Sequence, residues 1–124
     1  MLRFCGIVIA ICSVLVSLAQ GPSIAASNII FNQTSCSGTT ISWTNGNGSS
    51  RIVVASKNVA VSSYPVKNTY YLAADSFGNG SSISGNEFIV YNGIGSSVNV
   101  KKLEPNETYF FSIFEYNGSS FFYF

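Results

Sequence analysis

Asn-Gly is the punctuation of this chain. It occurs at Asn45-Gly46, Asn47-Gly48, Asn79-Gly80, Asn92-Gly93 and Asn117-Gly118. Both residues tolerate positive φ, which tight hairpin turns require. The segments between these pairs are short and rich in β-branched and aromatic residues: Asn28 to Phe31, Thr39 to Thr44, Arg51 to Ala55, Glu87 to Tyr91, Ser97 to Lys101, Thr108 to Tyr116 and Phe121 to Phe124. Several alternate with period two. Ile41 and Trp43 share one face, as do Ile52 and Val54, and Val98 and Val100 point inward. No window carries a helical period. Short strands separated by turn signals predict an all-β fold, an antiparallel sandwich or barrel of about seven strands. Val59 to Gly85 departs from the scheme, with Pro65 early and Gly and Ser late; it reads as an insertion lying over one sheet.

Met1 to Ala19 reads as a separate object, a cleaved secretory signal peptide. Arg3 gives the positive start, Ile7 to Leu18 the apolar centre, and Ser17 and Ala19 the small residues before a cut at Gln20. The apolar stretch from Phe4 to Ala19 falls short of the roughly 20 residues that span a bilayer. Ile11 is too bulky for a lipid-attachment site at Cys12. Removal of the signal takes Cys5 and Cys12 with it, so Cys36 is left alone and no intrachain disulfide can form. In its Ser/Thr-rich turn, Cys36 is expected to be partly buried and inert. The expected location is secreted or at the cell surface, with no membrane span after cleavage.

Charge narrows the functions. Charged residues make up 9% of the chain, against about 25% in soluble proteins. Residues 20–124 carry five cations (Arg51, Lys57, Lys67, Lys101, Lys102) and five anions (Asp75, Glu87, Glu104, Glu107, Glu115). That balance offers no basic stripe for nucleic acid. The chain has no His, the commonest general base and metal ligand. A Ser or Cys nucleophile would need another base. Asp75 and Glu87 flank the Gly-rich part of the insertion and are candidates for a carboxylate pair, but solvated surface charges are the better reading. There is no phosphate loop, nucleotide fingerprint or metal-spaced cluster. The expectation is a chain that is not an enzyme and carries no cofactor.

The most specific string is Leu103-Glu104-Pro105-Asn106-Glu107-Thr108-Tyr109. It predicts a tyrosine corner. The Tyr109 ring is buried near the start of a strand, and its hydroxyl bonds backbone a few residues upstream. Pro105 fixes φ in the corner, and Leu103 plugs the end of the core. With Trp43 on an early strand, this string resembles a fibronectin type III domain. More narrowly, the strings I-S-W-T-N-G-N-G, R-I-V-V-A, F-I-V-Y-N-G, L-E-P-N-E-T-Y-F-F and F-E-Y-N-G resemble modules of secreted and surface proteins of Bacteroidetes-type bacteria. They run from about Ser27 to Gly118. The resemblance implies an immunoglobulin-like seven-strand sandwich over residues 20–124 with a non-catalytic role as spacer, adhesion or protein-interaction domain. The five N-x-S/T triplets, at Asn32, Asn47, Asn79, Asn106 and Asn117, are expected by chance in so Asn- and Ser-rich a chain.

Two surfaces follow from parity in the aromatic run. Tyr109, Phe111 and Ile113 share the face expected in the core. Phe110, Phe114 and Tyr116 share the other, a candidate platform for a protein or a glycan. A carbohydrate-binding module is therefore the alternative function. The competing expectation is that Tyr70, Tyr71, Leu72 and Phe77 of the insertion cover this stripe. The last run, Phe121 to Phe124, is too short to pair with all of Thr108 to Tyr116. An incomplete copy of the module is expected, one that self-associates or captures a strand through that edge.

Overall fold

A computed structural model describes residues 21–118 and the backbone of Phe122–Tyr123. The expected signal peptide lies outside the described residues, as do Phe121 and Phe124 of the last run. Eight strands form among the described residues: β1 (Ser27–Asn32), β2 (Thr39–Thr44), β3 (Ser50–Lys57), β4 (Ser82–Ser84), β5 (Glu87–Gly93), β6 (Ser97–Val100), β7 (Tyr109–Asn117) and β8 (Phe122–Tyr123). The expected runs account for all but β4, a three-residue strand inside the insertion. The fold is all-β, in two antiparallel sheets ordered β1-β2-β6 and β4-β5-β3-β7-β8.

Alternation within the strands builds two apolar clusters. Between the sheets, Ile41, Trp43 and Val100 meet Val53, Ala55 and Val90, with Phe111, Ile113, Val98 and Leu103 packed around them. On the opposite face of the larger sheet, Ile52, Val54 and Ile89 lie under Tyr71 and Tyr116, flanked by Val61 and Ile83. β3 is therefore apolar on both faces, and Ile52 to Ala55 have no solvent exposure. Its central place explains this, because β5 and β7 pair on either side and the insertion covers the outer face. Burial of an aliphatic side chain of this size stabilises by roughly 1.5–3 kcal/mol.

The insertion is organised by backbone bonds to its surroundings rather than as a free loop. Ala74 N–H donates to Ile89 O (3.2 Å), Ser81 N–H to Leu72 O (2.8 Å) and Ile89 N–H to Ser81 O (2.9 Å). Its aromatics divide in a way that corrects the expected cover. Tyr71 is buried on the outer face, but Tyr70 and Leu72 are exposed. Phe77 turns to the other side and packs edge-on against Phe88 (5.3 Å) and Tyr109 (5.1 Å).

The Asn-Gly pairs also work differently from the turn argument. Of their five glycines, only Gly118 has a positive φ. Gly46 and Gly48 are required by close approach. A Cβ on Gly46 would run into the backbone of Ile24 and Ala25, and one on Gly48 would meet the Glu115 carboxylate at 2.7 Å.

Candidate functional site

The corner string forms the predicted bond, but the Tyr109 ring is half-buried rather than buried. The Tyr109 hydroxyl accepts from Glu104 N–H at 3.0 Å. Leu103 is half-buried against the inter-sheet core, and its N–H donates to Ser37 O (2.9 Å). Pro105 is exposed at the tip. Trp43 is buried, meets Tyr91 edge-on at 5.4 Å and donates its indole N–H to Asn45 Oδ1 (2.9 Å).

The aromatic stripe on the other face of β7 does not form an open platform. Tyr116 is 7% exposed and donates its hydroxyl to Asn92 Oδ1 (2.6 Å). Phe114 is half-buried and lies under Tyr64, with ring centroids 5.8 Å apart. Only Phe110, at 40%, stays exposed. The exposed apolar groups sit instead on the insertion itself, at Tyr64, Val66, Tyr70 and Leu72. Sequence parity could not find them, since they belong to no strand.

Asp75 and Glu87 do not form a pair. Asp75 is exposed and bonds Lys101 Nζ at 2.9 Å. Glu87 is buried and accepts from Ser62 N–H (2.7 Å), Ser62 Oγ (3.0 Å) and Ser63 N–H (3.1 Å), which corrects the expectation of a solvated charge. Burial pushes its carboxyl up, but the bonds from Ser62 and Ser63 together outweigh this and hold it below the usual range. Lys57 reaches Glu104 (2.7 Å) and Glu107 (3.1 Å). The Glu107 carboxyl is held low first by the Asn58 amide and then by Lys57, and the Lys57 amine is raised by the two glutamates. No group of three metal-ligating side chains converges among the described residues.

The most deeply buried charges were not singled out from sequence. Arg51 and Glu115 form a bidentate pair between β3 and β7, at 3.0 and 3.1 Å. Glu115 also accepts from Gly46 N–H (3.0 Å) and Gly48 N–H (3.1 Å). Arg51 donates to the carbonyls of Ile94 (2.6 Å), Gly95 (3.1 Å) and Gly48. Each had one available signal, a charge inside an otherwise apolar strand run. Their bonds tie two turns to the sheet.

Cys36 is exposed, contrary to the expectation of partial burial. The turn that carries it is pinned by Ser35 N–H to Gly38 O (2.8 Å), which leaves the side chain on the rim of a concavity beside Phe31 and Leu103. Compared with protein-family models and with curated proteins, the chain matches none.

Proposed function

We propose that the chain is a secreted, non-catalytic module of the fibronectin type III kind that acts as a spacer, adhesion or protein-interaction domain. The strand order, the buried Trp43 and the Tyr109–Glu104 bond support the family reading. The observation that carries the interaction reading is the row of apolar side chains on the insertion, with Tyr64 80%, Val66 61% and Leu72 66% exposed. Apolar groups gathered on one short segment mark contact surfaces more often than scattered ones do.

The test is adhesion of the chain to protein-coated and polysaccharide-coated beads. The Val66→Ser/Leu72→Ser variant should lose protein adhesion and keep its unfolding midpoint. Adhesion unchanged in that variant would overturn the reading. Retention on polysaccharide alone, lost with Tyr70→Ser, would establish the carbohydrate-binding alternative instead.

A further inference from the structure

The two sheets meet along two seams, and the chain treats them differently. On the β6 side the insertion closes the gap. Ser76 bridges Lys101, Phe77 N–H donates to Lys101 O (2.9 Å) and Lys101 N–H to Asp75 O (2.7 Å). On the β1 side, Phe31 reaches across to Phe111 with ring centroids 5.7 Å apart. A concavity lies on either side of that contact. One, of about 410 Å³, is lined by Phe31, Cys36, Leu103, Tyr109 and Phe111. The other, of about 400 Å³, mixes Ile29, Tyr64 and Phe114 with the hydroxyls of Ser62, Ser63 and Ser112, and Phe111 borders both.

The strand that runs along this seam is only partly used. β8 pairs with β7 at Tyr116 and Asn117. From Tyr109 to Glu115, β7 has β3 on one side and, among the described residues, no strand on the other. An antiparallel edge directs the N–H and C=O of alternate residues outward. β7 is also regular, pairing with β3 from Tyr109 to Tyr116 without a register shift. β1 is an edge too, but it is broken by a shift between Ser27 and Ile30 and by Asn28 at φ 51°.

We propose that the β1/β7 seam is a strand-docking groove. It takes an extended, neutral peptide that pairs antiparallel with Tyr109–Glu115 and seats alternate side chains in the two concavities, an apolar one beside Phe31 and Leu103 and a small one beside the Ser62, Ser63 and Ser112 hydroxyls. The occupant follows from the chemistry of the site. An edge with no strand on it among the described residues presents amides and carbonyls that select an extended backbone, and pockets beside it select every second side chain. The open edge is about 23 Å long at roughly 3.3 Å per residue, long enough for two pockets to be filled from one strand. β8 already lies on the same edge and fixes the direction in which a further strand would continue. The groove borders the exposed insertion at Tyr64, but pairing along the β7 edge does not depend on adhesion at Val66, Tyr70 or Leu72.

The probe is a peptide of alternating Val and Thr as long as the open edge, flanked by Lys for solubility. Amide exchange of the chain, read by NMR, should slow by about tenfold or more at the outward amides of Tyr109–Glu115 when the peptide is added. Two further peptides carry N-methyl groups on one alternate set of residues or on the other. Only the set whose N–H groups face β7 should abolish the slowing. Equal binding by both methylated peptides would overturn the edge pairing, as would no slowing at β7 with the parent peptide. Amides already slow in the free chain would also overturn it. A doubled mass in sedimentation would then assign the groove to a second copy, and a single mass would assign it to the chain's own terminal residues.

Discussion

Replacing Glu115 with Ala should be among the most damaging single changes in this chain. The carboxylate has no solvent exposure and takes four bonds, from Arg51 Nε and Nη2 and from Gly46 and Gly48 N–H. Removing one partner of a buried ion pair leaves an uncompensated charge and costs about 3–5 kcal/mol. Arg51 would keep three carbonyl acceptors, which places the expected loss near the lower figure, about 3 kcal/mol. A domain of this size has a total stability of roughly 5–15 kcal/mol. With a urea slope of about 1.5 kcal/mol/M, the midpoint should fall by ~2 M. The double variant Arg51→Leu/Glu115→Leu removes both charges, and it should lose at least about 1.5 kcal/mol less than the sum of its single changes. Urea unfolding followed by tryptophan fluorescence, with Trp43 as the reporter, measures all five proteins: the native chain, Glu115→Ala, the two single Leu variants and the double variant. A midpoint shift below about 0.5 M for Glu115→Ala, or strict additivity in the cycle, would refute the claim that the pair organises the turn above it.

Other outcomes can be checked on the same footing. Tyr109→Phe removes the bond from Glu104 N–H and should cost about 1 kcal/mol; an unchanged unfolding midpoint would remove the corner's role. Glu87 has a lowered pKa in the fold, so its contribution is present above the ordinary Glu pKa of about 4.3 and is lost as pH falls through the lower native value. The stability gap between the native chain and Glu87→Gln should therefore shrink from pH 7 to pH 3, and an equal gap at both would contradict the assignment. Cys36 should react with a maleimide in the folded chain as fast as a free thiol, measured without denaturant; protection would mean that the turn is covered. Gly46→Ala should lower the thermal midpoint, because a Cβ there meets the backbone of Ile24 and Ala25; a midpoint within error of the native one would deny that close approach.

The strands were legible because their side chains alternate, a local property that survives in any tertiary setting. Thr39 to Thr44 is bounded as the sequence suggests, and Ile41 and Trp43 do face the core. The corner was legible for the same reason, since Tyr109 and Glu104 lie five residues apart. What escaped depends on distant parts of the chain. Arg51 and Glu115 are 64 residues apart, and no local pattern says that two charges in apolar runs will be neighbours. The insertion was recognised as a cover, but which of its aromatics turned inward depended on bonds such as Ser81 to Leu72. Gly46 and Gly48 were read as turn formers from a dipeptide rule, whereas the space they leave is filled by Glu115 from β7.

The two-faced burial of β3 has a consequence for how the chain is made. A strand with Ile52, Val53, Val54 and Ala55 in sequence emerges from the ribosome well before either of its partners. The insertion and β5 follow, and β7 comes only after residue 108. Until then Ile52 to Ala55 is an uncharged apolar run with no β7 to pair with, the composition that nucleates aggregation in unfolded chains. The Arg51 guanidinium at its start, later the deepest cation of the fold, is in that interval a gatekeeper charge beside the apolar run. Replacing Arg51 and Glu115 together with apolar residues that suit the finished sheet should therefore lower the yield of soluble chain during synthesis, even where the folded product is no less stable.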